Sequence, residues 1–286
     1  MHKTEHHPLD QPAAGPQEAR APGLGPLAPR LRQGLVITLG ALTMGLSAAY
    51  LLRTPQAGAP GASSAAARPP RHADFGAEPA SPEVRFIANW ASDSGDNDKL
   101  PFVIIDKKNT RAFVFDPAGK LLGAAPVLLG AASGDESVPG IGQRPLAQVL
   151  PQERTTPAGR FVGEPGRNLS GEDIVWVDYD AAVSMHRVRT ANKKERRLER
   201  LASPTTADNR ISFGCINMPA AFYENVLSPQ FRSRHGVIYV LPDTKPVRQV
   251  FASAYDPSAR YRATIAAGRQ AAATAGNAPA RLLGGV

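Results

Sequence analysis

At 286 residues the chain has room for one or two domains, and its uneven composition argues for one, because patterned segments are confined to the middle while both ends are rich in Ala, Pro and Gly. A single cysteine, Cys215, excludes an intrachain disulfide. The net charge of +8 admits nucleic acid, anionic lipid or an anionic wall polymer as partner, but its densest run, Arg187 to Arg200 with seven basic and two acidic residues, has no interleaved aromatic, which argues against a base-stacking surface and hence against nucleic acid.

Residues 1–33 read as a disordered cytoplasmic leader in which repeated prolines prevent a sustained helix. His2, His6 and His7 lie on this tail and are read as solvated. Residues 34–52 carry no charge, and as a helix they would span about 28 Å, close to the ~30 Å hydrocarbon core of a bilayer. Arg30 and Arg32 ahead of the run set its N-terminal end in the cytoplasm. The long leader and full spanning length favour an uncleaved transmembrane anchor over a signal peptide cut near Ala57-Gly58-Ala59. Residues 53–81 form a Pro/Ala/Gly linker with too few large apolar residues to fold.

Residues 82–246 are the folded domain, large enough to bury about 70% of its unfolded surface. A short helix is predicted over Glu83 to Ala91, then a hairpin of Phe102 to Asp106 and Arg111 to Phe115 joined at Lys107 to Thr110. Extended structure follows over Leu121 to Leu129, and Gly130 to Pro151 reads as loop. Thr156 to Val162 is a turn entering a strand, with further strands at Asp173 to Asp178, Ala182 to Arg189 and Val237 to Leu241 and a helix at Pro219 to Leu227. Strands dominate and helices are few and short, so the expected core is mainly β, a sandwich or barrel. Residues 247–286 read as an Ala-rich, largely disordered tail with a weak helix at Val250 to Ala267.

The chemistry gathers at Ile211-Ser212-Phe213-Gly214-Cys215-Ile216-Asn217 and at Met185-His186-Arg187. A cysteine with a histidine in reach is the minimum equipment for thiol acyl transfer. A glycine before it allows a tight turn and an unobstructed N–H for a developing oxyanion. The competing reading of Cys215 alone is a small buried hydrophobe. No metal or cofactor is expected, since one cysteine and two histidines within the domain form no ligand cluster, and His235 reads as a turn residue.

Three segments, Thr156-Pro157-Ala158-Gly159-Arg160-Phe161, His186 and Ser212-Phe213-Gly214-Cys215-Ile216-Asn217, resemble the L,D-transpeptidase (YkuD-like) catalytic domain, over roughly Pro101 to Asp243. The resemblance implies Cys215 as nucleophile, His186 as its base, the Arg187 carbonyl orienting the imidazole, and N–H groups of Gly214 and Cys215 as oxyanion hole. It further implies that Ser212 and Asn217 support the loop. Phe213 stands where the family usually has His, Arg187 where it commonly has Gly, and the 25 residues between His186 and Ser212 are a longer spacer than usual. In that spacer Ala191 to Ser203 reads as a solvated helix or, alternatively, as a flap whose Arg196, Arg197 and Arg200 meet substrate carboxylates. The implied protein is a monomeric, single-pass inner-membrane enzyme of peptidoglycan biosynthesis, its catalytic domain in the periplasm and its substrate the stem peptides of the wall. A hydrolase using water as acceptor, or a non-catalytic wall-binding module, are the alternatives.

Overall fold

The computed structural model of the protein describes residues 68–276. The expected leader, the uncharged run at 34–52, most of the expected linker and the last ten residues of the tail lie outside the described residues. Among the described residues, no helix is long and apolar enough to cross a membrane.

Helix α1 (Pro82–Ser94) opens on Ser81, whose hydroxyl accepts the Val84 N–H at 3.3 Å, with Pro82 in the first turn where no donor is lost. It stops at Gly95, which takes the left-handed φ of +77° that ends helices. Ten strands follow among the described residues: β1 (Phe102–Asp106), β2 (Arg111–Phe115), β3 (Leu121–Pro126), β4 (Leu129–Gly130), β5 (Gly159–Arg167), β6 (Asp173–Asp178), β7 (Val183–Arg187), β8 (Arg210–Ser212), β9 (Ile216–Met218) and β10 (Gly236–Val240), with helix α2 (Arg197–Ala202) between β7 and β8. Eight of them form one sheet in the order β3-β2-β1-β10-β5-β6-β7-β9, and β4 pairs with β8 in a second. Strand β5 is long enough to join the halves, pairing with β10 through Gly159 to Gly163 and with β6 through Glu164 to Arg167. Past the end of β3, Leu128 exchanges two main-chain hydrogen bonds with Asn217 of β9, at 2.8 and 2.9 Å, so the outer strands nearly meet and the sheet is almost a closed barrel. The mainly β architecture with few helices is therefore as the sequence reading gives it.

Two apolar clusters occupy opposite faces of the sheet. The inner one runs through every part of it, with Val103, Val114, Met185, Ile216 and Ile238, and is closed by Tyr223, Leu227 and Phe231 from the helical stretch Ala220–Phe222 (α3), a π turn at Tyr223–Leu227 and Ser228–Phe231 (α4). The outer one is centred on β1, β2 and β10, where Phe102, Phe113 and Tyr239 meet Ile87 and Trp90 of α1, and Leu121 and Ala124 of β3 pack at its edge. Burial on both faces explains the unbroken apolar runs of β1, β2, β6 and β10, whereas β7 alternates because its outer face is kept for the polar Ser184 and His186.

Both ends of the folded region reach further than composition suggests. The last part of the expected linker is packed, not loose. Asp74 exchanges main-chain hydrogen bonds with Gly119 and Leu121, and Phe75 is buried edge-on against Phe115, 5.3 Å between ring centres. In the same outer cluster, α5 (Val247–Val250) leads to Phe251 and Ala254, both buried. Helix α6 (Pro257–Gly276) follows, and Tyr255 anchors its approach by donating to Asp93 of α1 at 2.8 Å. One or two aromatics in each segment were enough to fasten it, and an average over Ala and Gly conceals that. The expected helix at Pro219 to Leu227 continues to Phe231 through its π turn.

Candidate functional site

Alternation along β7 sends Val183 and Met185 into the inner cluster and Ser184 and His186 to the other face. Strand β9 runs parallel beside it, with Met185 opposite Ile216 and His186 opposite Asn217. Cys215, one residue ahead of β9, shares the side of Asn217, so it lies next to Ser184, with 3.7 Å between Sγ and Oγ, and diagonal to His186. The Ala182 carbonyl is 3.6 Å from the same sulfur. The thiol is half-buried rather than sealed in hydrocarbon. His186, Cys215, Ser184, Asn217, Phe213 and Arg197 line one small cleft of about 30 Å³. A groove of about 460 Å³ adjoins it and shares His186, Arg189 and Arg197.

The imidazole is fixed by its neighbour. His186 Nδ1 lies 2.7 Å from the Arg187 carbonyl, which accepts only, so Nδ1 carries the hydrogen and Nε2 keeps the lone pair. Burial is the main reason its pKa falls to about 4; the Arg187 carbonyl opposes the fall, the guanidinium groups of Arg189 and Arg197 deepen it, and Glu172 opposes it weakly. The ring is thus neutral at ordinary pH and able to take a proton at Nε2. The Arg187 side chain points elsewhere, to Asp173 at 3.0 Å and Glu224 at 2.9 Å, with its guanidinium 4.4 Å from the centre of the Tyr223 ring.

The cysteine loop is held from within. Ser212 Oγ donates to the Cys215 carbonyl at 2.6 Å and accepts the Gly214 N–H at 3.1 Å. That second bond corrects an expectation: the Gly214 N–H is turned into the loop and engaged, and does not face a substrate. Glycine is required there for another reason, since φ is +134° and a Cβ would stand 2.8 Å from the Thr155 carbonyl oxygen. Asn217 Nδ2 donates to the Cys215 carbonyl at 3.3 Å, and its Oδ1 accepts from Arg197 Nη1 at 2.6 Å. Phe213 lines the cleft and is backed by Arg154, whose guanidinium carbon is 4.1 Å from the ring centre.

The basic segment divides. Arg197, at the start of α2 (Arg197–Ala202), is buried and faces the cleft. Arg196 is exposed and paired with Glu199, and Arg200 is spent on the carbonyls of Glu195 and Asp208, so neither reaches the thiol. The segment is therefore not wholly solvated, and one of its three expected arginines touches the site. Ser184, Arg189 and Asn168 line the cleft without having been singled out from sequence. Ser184 was within reach of sequence reasoning, being two residues before His186 on the same strand face.

No protein-family profile matches the chain, and neither does any curated protein. Among solved structures it is similar to the NMR structure of the catalytic domain from E. faecium L,D-transpeptidase, at 15% identity over 50% of this chain and 98% of that one, with a TM-score of 0.26. A superposition this loose assigns no family.

Proposed function

We propose that the protein is a cysteine acyltransferase acting on peptidoglycan stem peptides, an L,D-transpeptidase with Cys215 as nucleophile and His186 as base. What supports the reading most is the half-buried thiol and an imidazole with its lone pair on Nε2 lining one cleft, on adjacent strands in fixed register. Nε2 takes the thiol proton as sulfur bonds to the carbonyl carbon between an L-centre and a D-residue. The amide C–N bond then breaks, the leaving amine receives the proton from His186, and a thioester remains. An amine from a second stem attacks that thioester, gives its proton to His186 and forms the new amide, and the sulfur leaves as thiolate and is reprotonated. With the Gly214 N–H engaged by Ser212, the main-chain donor assigned to the oxyanion is that of Cys215. Ser212 and Asn217 hold the loop, and Phe213 supplies an apolar wall. Anchoring through residues 34–52 in the inner membrane, with this domain in the periplasm, belongs to the same proposal and rests on the length of that uncharged run.

The test is incubation of the purified protein with tetrapeptide-bearing wall fragments, followed by mass spectrometry. Cys215→Ala and His186→Ala are each expected to lower turnover by about 100-fold or more while the domain stays folded. Undiminished turnover by either variant sinks the assignment. Cross-linked product identifies an amine acceptor, and shortened monomer alone identifies water.

A further inference from the structure

Lys107, expected only as a hairpin turn residue, is fully buried. Its three ammonium hydrogens have three short partners: the carbonyls of Gly134 at 2.6 Å and Thr156 at 2.7 Å, and Asp135 Oδ1 at 2.9 Å. Asp135 in turn accepts the main-chain N–H groups of Asp243, Thr244 and Lys245 and the Thr244 hydroxyl. Arg210, two residues before Ser212, binds Asp243 through both terminal nitrogens and the Lys107 carbonyl through one of them. Five separate stretches of chain are tied together here, and none of these side chains lines the cleft.

The end of this network that faces the site is Thr156. Its hydroxyl accepts the Gly130 N–H at 2.9 Å, so its single hydrogen is committed to the Gly214 carbonyl, 2.8 Å away. The peptide unit joining Gly214 to Cys215 is planar and trans, so its C=O and N–H point in opposite directions. Fixing the carbonyl on Thr156 therefore fixes the aim of the Cys215 N–H, the donor assigned above to the oxyanion. We infer that Thr156, anchored by Lys107, is a positioning residue that aims the Cys215 N–H at the developing oxyanion. The inference rests on the acyl-transfer reading of Cys215 and concerns which groups outside the cleft make it efficient.

The role predicts a split between two reactions of one sulfur. Acylation by p-nitrophenyl acetate develops an oxyanion, whereas alkylation by iodoacetamide displaces iodide and develops none. With Cys215→Ala as background, Thr156→Val is expected to slow acylation about tenfold while alkylation changes less than about twofold, the loss of one well-aimed donor bond. Thr156→Ser, which keeps the hydroxyl, restores acylation, and Lys107→Met shows the same split. Acylation unchanged in Thr156→Val, or both reactions falling together, overturns the assignment. So does a Thr156→Val chain that no longer folds, since that would make the residue a requirement of the fold. An unmodified protein whose Cys215 is alkylated but never acylated refutes the acyl-transfer reading itself and this role with it; a reactive parent with an unaffected variant refutes the positioning role alone.

Discussion

Arg197 and Asn217 are joined inside the protein, Nη1 to Oδ1 at 2.6 Å, although one belongs to the basic segment after β7 and the other to β9 beside the thiol. Through Asn217, which also donates to the Cys215 carbonyl, the segment is part of the cleft wall. Its neighbour Arg196 stands in solvent with Glu199.

That difference predicts opposite outcomes for adjacent arginines. Arg197→Met strands a buried carbonyl oxygen on Asn217 and is expected to cost about 2 kcal/mol of stability and to impair acyl transfer. Arg196→Ala removes an exposed pair and is expected to stay within about 0.5 kcal/mol. Urea unfolding of the two variants decides it; equal costs would show that the segment packs differently.

The neutral His186 sets a second expectation. With its pKa held near 4, chiefly by burial, the imidazole rests neutral and takes a proton only during attack. The rate of Cys215 alkylation is expected still to be rising with pH above pH 5, where His186 has already lost its proton. A plateau already reached at pH 5 would reveal a preformed thiolate–imidazolium pair instead. Stability carries the matching sign: an unfolded histidine takes its proton near 6.5 while the folded one resists until about 4, so stability declines across that interval as pH falls. His186→Gln should flatten that slope.

Asp135 acts in a lower window. Burial by itself would raise its carboxyl, but the Thr244 hydroxyl, the Lys107 ammonium and the main-chain donors outweigh it and hold the group well below the usual carboxylate range. Its contribution is complete above the unfolded value of 3.8 and is lost as pH falls below it. Thermal melts from pH 5 to pH 2 are expected to show a steep decline that Asp135→Asn lessens. At neutral pH the same variant is expected to cost about 3 kcal/mol, because it breaks a buried ion pair.

Gly214→Ala tests the loop. A left-handed φ of +134° and a Cβ only 2.8 Å from the Thr155 oxygen leave no relaxed alanine conformation, so a loss of about 2 kcal/mol or more is expected, together with loss of Cys215 acylation. A crystal structure of the variant with an unshifted loop and full activity would refute this.

The strands of this domain were legible because burial on both faces writes continuous apolar runs such as Phe102 to Ile105, and burial on one face writes the alternation of Val183 to His186. The pair of Cys215 and His186 could be named from residue type and from the likeness of the segments around them to a known motif. The packed stretches around Phe75 and Phe251 were missed because only one or two aromatics fasten each, and the buried Lys107 because a lysine beside another lysine and an asparagine reads as turn.

Residue identity and local periodicity determined the strands, the single thiol, the histidine on its alternating run and the glycine before the thiol, since each depends on neighbours in the chain. Only the tertiary structure decided that Gly214 donates inward to Ser212, that Arg197 faces the cleft while Arg196 does not, and that Lys107 and Thr156 stand behind the cysteine loop. Those outcomes turn on which groups from distant parts of the chain compete for each buried donor and acceptor. That competition is settled by closure of the sheet around β7 and β9, and no local pattern encodes it.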